Sequence, residues 1–335
     1  MNPDKRLTAM ADDVMRCGQL AAALEACGWP KPGNAHRTSN LPGARFEHFV
    51  ASSIAFGPAL RDAFLSGARA GLGEINPGRM RVGALILNAV RDMRAWQKGG
   101  NTHLGTILIF VPLAAAAGYL SGLGKPITVE GLRRAFKSVA RSTRPVDAVN
   151  VYMAIREAEP RGLGRVSGCN APDVTLERAH VEILEKGLNL FDVMSAARKW
   201  DLVAREISSS LKVASEIGYP TFKRVYLETG DVNVATVHTY LEILSLHPDT
   251  HVARCYGARF AEDVREAVKK GMEKAVLVSR WAEVVLGAGG LLTREGRKLL
   301  FKMDLRLRRE GLHPGAAADL TASSLYLALL TGLRP

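Results

Sequence analysis

Four turns of this chain hold the side chains able to do acid–base, metal or phosphate chemistry. They are Pro30-Lys31-Pro32-Gly33-Asn34, Gly100-Asn101-Thr102-His103-Leu104-Gly105, Asp249-Thr250-His251-Val252-Ala253-Arg254 and His313-Pro314-Gly315-Ala316-Ala317-Ala318-Asp319-Leu320. Each sets a glycine, a proline or small residues beside polar groups, and each abuts an apolar stretch of helical period. A turn feeding polar groups onto a helix start is how a helical protein builds a site for an anion.

Taken singly, each turn admits a bland reading and a functional one. Pro30 and Pro32 restrict the backbone, so Lys31, Asn34 and Arg37 are presented at low entropic cost beside Gly33, an arrangement suited to a phosphate chain. Glu25, just upstream, reads on its own as a surface carboxylate at the end of the first helix. Thr102 could cap the next helix with His103 in its first turn. Alternatively Asn101, Thr102, His103 and the helix N–H groups face a phosphate together. Asp249, with Thr250 beside it and Arg254 one turn on, could hold Mg²⁺ and a phosphate oxygen at once. Zinc is disfavoured at His247 and His251, because Pro248 lies between them and a third ligand is missing. In the last turn His313, Pro314 and Gly315 shape the entry, three alanines leave room for something bulky, and Asp319 is either a cap or a second carboxylate for magnesium. Only the fold can bring Asp249 and Asp319 together.

The elements that must position these turns are helices. Helical periods cover Arg6–Ala26, Phe46–Ala70 with a break at Gly57-Pro58, Met80–Gln97, and Val129–Ala140 with Thr128 as N-cap. Thr143–Ala158, Leu176–Lys186, Asn189–Gly218, Val232–Leu246, Arg259–Leu286, Thr293–Arg309 and Ala316–Leu330 follow. Strand alternation is nearest at Ile217–Val225, where Tyr219-Pro220 interrupts it. The expectation is an all-α protein, a single multi-helix domain over residues 1–335 with a buried apolar central helix. That helix is Leu104–Leu123, which carries no charged side chain. Its length raises a transmembrane reading, but Ala114–Ala117, Pro112, several glycines and Ser121 suit a closely packed core helix instead. The Gly-rich stretch Arg161–Pro172 reads as a linker or a lid.

The chain has 45 Lys and Arg against 33 Asp and Glu, a formal charge of +12, so anions are attracted generally. The basic residues are spread through helical segments rather than gathered in a tract, which favours a nucleotide or coenzyme over nucleic acid. Cys17, Cys27, Cys169 and Cys255 show no tight spacing, and Asp4, Lys5, Arg6, Asp12 and Asp13 precede any apolar run. A reduced cytoplasmic setting without a signal peptide is the expectation. Oligomeric state is not legible.

In order and spacing the four turns resemble the triphosphoribosyl-dephospho-CoA synthases, which read approximately E…PKPG, NTHKG, DTNVxxRGG and SPGGSADLL. The counterparts here are Glu25 with PKPG, NTHLG at 101–105, DTHVARCYG at 249–257 and HPGAAADLT at 313–321, so the resemblance spans about residues 25 to 330. His251 departs from the family Asn, Arg254-Cys255-Tyr256-Gly257 meets Arg-Gly-Gly only with a shift, and the 161–172 stretch lacks the acidic residues of the family's GARGEAEAG. The resemblance implies a soluble enzyme that moves the triphosphoribosyl group of ATP to a hydroxyl of 3′-dephospho-CoA and releases adenine. It implies Glu25, Asp249 and Asp319 around Mg²⁺, one serving as base, with Lys31, Arg37, His103 and Arg254 on phosphates. Other ribosyl acceptors, such as a methanopterin-like pterin, and a non-enzymatic nucleotide- or nucleic-acid-binding role are the alternatives.

Overall fold

The computed structural model describes residues 3–166 and 168–335, with sixteen α-helices among them. They are α1 (Pro3–Cys27), α2 (Phe46–Ala55), α3 (Gly57–Gly71), α4 (Val82–Ala95), α5 (Leu104–Gly122), α6 (Val129–Ser142), α7 (Pro145–Ala158) and α8 (Ala179–Glu185). The second half holds α9 (Leu190–Ala197), α10 (Leu202–Ser208), α11 (Tyr219–Thr229), α12 (Val232–Leu246), α13 (Thr250–Gly257), α14 (Val264–Gly287), α15 (Arg294–Glu310) and α16 (Gly315–Leu330). No sheet forms among the described residues; three isolated bridges sit outside the helices. The helices share one apolar core, as an all-α single domain requires.

α5 lies at the centre because its sequence offers no polar face to water. From Thr106 to Gly118 every residue is buried, and α3, α4, α6, α16 and α1 pack around it. Small residues set how closely α3 approaches. A Cβ on Gly67 would fall 2.0 Å from the Ala115 carbonyl oxygen, and one on Gly118 would fall 1.9 Å from that of Phe64. Gly71 and Gly122 repeat the arrangement one turn on, so the two backbones touch along a seam where no side chain fits. α14, extended to Leu292, is also long and apolar enough to cross a membrane, but only 39% of its apolar window is buried, against 83% for α5.

Several helix starts follow the sequence closely. Thr128 accepts the Gly131 N–H and opens α6 as expected, and Asp231, Asp263 and Thr293 cap α12, α14 and α15 in the same way. The run read as one helix from Asn189 to Gly218 is instead α9, α10 and a π-helical turn at Ala214–Gly218. Asp201 caps a new helix at Ala204. Ser210 and Leu211 then take positive φ values of 59° and 62°, held by the buried carboxylate of Glu206, which accepts the Val213 and Ala214 N–H groups at 2.9 and 2.8 Å. The strand candidate at Ile217–Val225 is helical: the π-helical turn Ala214–Gly218 runs directly into α11, with Pro220 at the junction.

Candidate active site

All four turns open onto one cavity of about 510 Å³. Of the expected site residues, Glu25, Lys31, Asn34, Asn101, Thr102, His103, Thr250, Arg254, His313, Gly315 and Asp319 line it. The first turn reaches the cavity by docking on the loop before α16. Gly33 takes φ of 73°, a Cβ there would lie 2.6 Å from the Leu312 carbonyl oxygen, and its N–H is accepted by Asp304 at 2.9 Å. Gly33 thus serves backbone approach. Arg37 does not line the cavity. It is exposed and turned toward Cys27 O and Asn233 Oδ1, at 3.1 and 3.0 Å.

The floor is made of α1, α5 and α16. Glu25 and Lys31 are both buried and form an ion pair there, with the Lys31 ammonium also donating to the Glu25 carbonyl at 2.7 Å. Burial raises the Glu25 pKa against the pull of Lys31. Asp319, half-buried, projects from the first turns of α16, and the Thr106 hydroxyl donates to its Oδ1 at 2.7 Å. A Cβ on Gly105 would lie 2.1 Å from Asp319 Oδ2, so the glycine of NTHLG makes room for this carboxylate. Burial pushes the Asp319 pKa up to about 7, the Thr106 hydrogen bond opposes it, and the charges of Glu25 and Asp249 add to it. The three carboxylates far apart in sequence therefore feel one another.

Asp249 occupies a different position from the one its type suggested. It is fully buried and is not on the cavity wall. Its Oδ1 accepts the His251 and Val252 N–H groups at 2.8 and 3.1 Å, capping α13, and its Oδ2 accepts the Ala317 N–H of α16 at 2.7 Å. One carboxylate ties two helix starts together. Burial raises its pKa to about 6 despite these bonds. Next to it, Thr250 Oγ1 accepts the Leu202 N–H at 2.9 Å, fixing α10.

The polar groups of the turns are largely engaged with one another. Asn34 Nδ2 donates to Tyr240 at 2.9 Å, Tyr240 donates to Pro32 O at 2.8 Å, and Asn34 Oδ1 accepts from His313 Nε2 at 2.8 Å. His251 Nδ1 donates to His313 O at 2.9 Å. Asn101, rather than Thr102, caps α5, accepting the Leu104 N–H at 3.0 Å; Thr102 bonds Ser52 of α2 at 2.6 Å. His103 is buried beside Phe49 and Phe56, and burial with the nearby Lys31 charge brings its pKa down to about 3. The first two turns, expected to face each other as separate cations, thus supply no free cation: Lys31 is paired and His103 is neutral.

Cations available to a ligand stand at the rim. Lys98 and Arg161 are exposed, while Arg254, half-buried, donates to Asp201 at 3.1 Å and leaves its Nε unpaired. Arg161 belongs to the Gly-rich stretch, which covers one side of the cavity and is tied to α14 by Val264 N–H to Arg165 O at 2.9 Å. Sequence reasoning missed Lys98, Asp201, Thr106 and the aromatic wall of Tyr152 and Trp200. Thr106 directly follows NTHLG and was open to notice; the others lie in helices and loops of ordinary composition.

Among the described residues no three His, Cys, Asp or Glu side chains are set to hold a metal. Magnesium takes one or two carboxylates and fills its shell with water and substrate phosphates. Glu25, Glu159, Asp201 and Asp319 are the carboxylates on the cavity wall. Asp201 pairs with Arg254 and Glu159 with Arg94, which leaves Asp319 and the Lys31-paired Glu25 to fit that mode, whereas Asp249, with both oxygens on backbone N–H groups, is not offered to a cation.

A model of the ATP:dephospho-CoA triphosphoribosyl transferase family matches residues 11–335. The chain belongs to this family. Among relatives of the transferase family, a 2-(5″-triphosphoribosyl)-3′-dephosphocoenzyme-A synthase of Klebsiella pneumoniae is 27% identical over 323 residues, covering 95% of this chain and 91% of its own. One from Escherichia fergusonii is 24% identical over 306 residues, 89% of this chain and 84% of its own. A crystal structure assigned as a triphosphoribosyl-dephospho-coA synthase, from Archaeoglobus fulgidus, superposes with a TM-score of 0.59 at 26% identity, covering 85% of this chain and all of that one. Membership in the transferase family agrees with the all-helical fold.

Proposed function

We propose that this protein transfers the triphosphoribosyl group of ATP to a hydroxyl of 3′-dephospho-CoA and releases adenine. Family membership supports the reaction, and one observation supports its location: the carboxylates Glu25 and Asp319 and the exposed cations Lys98 and Arg161 line one cavity. The chemistry divides along the same line. A triphosphate needs cations, and an incoming hydroxyl needs a base.

Lys98, Arg161 and Arg254 hold the triphosphate at the rim. Arg161 offers an exposed guanidinium able to fork onto phosphate oxygens, and Arg254 stands beside it on the cavity wall, paired with Asp201. Asp319 is the base. A carboxyl with a pKa of about 7 is partly ionised at neutral pH yet basic enough to take a proton, and Thr106 fixes its orientation. The acceptor oxygen attacks the anomeric carbon, its proton passes to Asp319, and the bond to adenine breaks while the three phosphates stay on the ribose. Glu25, held by Lys31, adds negative charge beside the positive charge that builds on the ribose ring. Glu25 would be the carboxylate to hold magnesium, which would supply charge to offset that of the triphosphate. Asp249, Asn34, His313 and Thr250 keep the turns in register.

Mass spectrometry of the acceptor after incubation with ATP and magnesium tests this reading. The expected product carries a pentose and all three phosphates. An acceptor that gains only phosphate, or is unchanged, would refute it.

A further inference from the structure

His103 is 2% exposed on the cavity wall, and neither of its ring nitrogens has a hydrogen-bond partner among the described residues. A neutral imidazole carries one N–H and one lone pair, and its depressed pKa keeps it neutral at any working pH. Leaving both unmet in the interior costs roughly 1–3 kcal/mol apiece. Six buried side-chain N or O atoms lack a partner among the described residues, and His103 is the side chain that contributes two of them.

The surroundings say what would satisfy it. Phe49 and Phe56 meet the ring edge-on at centroid distances of 5.5 and 5.7 Å. An anion is a poor occupant, because the imidazole presents a lone pair as well as an N–H and the phenyl walls add no charge. The matching group is flat and uncharged, with an acceptor for the ring N–H. Adenine offers N7 as such an acceptor on a flat, uncharged ring. Position agrees as well. Gly105, two residues beyond His103, lies against the Asp319 carboxylate, where a Cβ would fall 2.1 Å from its Oδ2. The base for the incoming hydroxyl and the bare imidazole thus meet at the start of α5, on one cavity wall.

We propose that His103 binds the departing adenine of ATP by donating a hydrogen bond to its N7 as the glycosidic bond breaks. This rests on the transfer reading above. Phe49, half-buried where Phe56 is fully enclosed, is the wall that yields to admit the base. An electron pair of the acceptor oxygen forms the new bond to the anomeric carbon, and the pair of the old bond leaves on N9 of adenine. The hydroxyl proton goes to Asp319, which returns it to water, and water supplies the proton that completes adenine. The His103 N–H meets the charge that spreads onto N7 during departure, so its bond is strongest in the transition state.

7-Deaza-ATP, which has a C–H in place of N7, tests the contact atom by atom. Wild-type protein should bind ATP about tenfold tighter than 7-deaza-ATP in calorimetric titration, and should release adenine about a hundredfold faster than 7-deazaadenine. In His103→Leu both preferences should shrink toward the intrinsic difference between the bases, because substrate atom and side chain form one interaction. His103→Gln, a neutral donor, should restore part of the preference. The binding arm stands whether or not turnover occurs, so failure of the transfer reading is told apart from failure of this one. Equal affinity of the wild type for both nucleotides, or an undiminished preference in a folded His103→Leu, would overturn the assignment.

Discussion

At the scale of single residues, the site separates groups that hold the turns from groups left for a ligand. His103 is in the second class, and stability should reveal it. His103→Leu removes two unpaired nitrogens from the interior and should stabilise the protein, by up to about 2–6 kcal/mol in chemical denaturation, while adenine release slows about a hundredfold. A variant both less stable and fully active would mean the imidazole is structural. Asp249 is in the first class. Asp249→Asn can satisfy the α13 N–H groups through its oxygen, but its amide then meets the Ala317 N–H donor to donor. Melting should fall by an amount equal to about 1–3 kcal/mol, the price of one unmet buried donor. Asp319 sets the pH dependence. Its raised pKa means that the base is lost by protonation as pH falls through about 7. kcat/KM should therefore rise with pH across that value. Thr106 favours the charged carboxylate, so Thr106→Val should move the rising limb to higher pH, with the largest loss of rate on its acid side. A limb that stays in place would detach Thr106 from the base.

At the scale of elements, the α3–α5 seam carries the cavity floor, because His103, Gly105 and Thr106 ride on α5. Gly118→Ala would gain roughly 0.5–1 kcal/mol of helix propensity. It would also press a methyl group against the Phe64 carbonyl, and overpacking costs about 1–3 kcal/mol or more. Net destabilisation in urea is expected, and added stability would contradict the close approach. Elements were the most legible part of the sequence. Apolar period and capping residues marked most helices within a few positions, and the charge-free run marked the central one. The run from Asn189 to Gly218 was misread because helical period continues through it; what breaks it is tertiary, a buried Glu206 bonding the backbone beyond a left-handed pair at Ser210 and Leu211. At the site, composition placed the turns but not their partners. That Arg37 would face outward and that Asp249 would cap two helices depend on contacts between distant segments, and that Lys31 would turn back onto Glu25, six residues earlier, depends on both being buried.

At the scale of the whole molecule, a formal charge of +12 and the exposed cations Lys98 and Arg161 at the cavity make the approach of a polyphosphate electrostatic. Exposed charges such as Lys98 and Arg161 are screened by salt, so raising ionic strength from about 0.05 to 0.5 M should raise KM for ATP severalfold with little change in kcat. The central claim is that the four turns form one cavity in which ATP gives up adenine to a hydroxyl acceptor. The most direct test is chromatographic measurement of adenine released from ATP and magnesium by the purified protein, with and without 3′-dephospho-CoA. Release should depend on the acceptor, match product mole for mole, and vanish in Asp319→Asn. Adenine formed at the same rate without acceptor, or none formed with it, would contradict the claim.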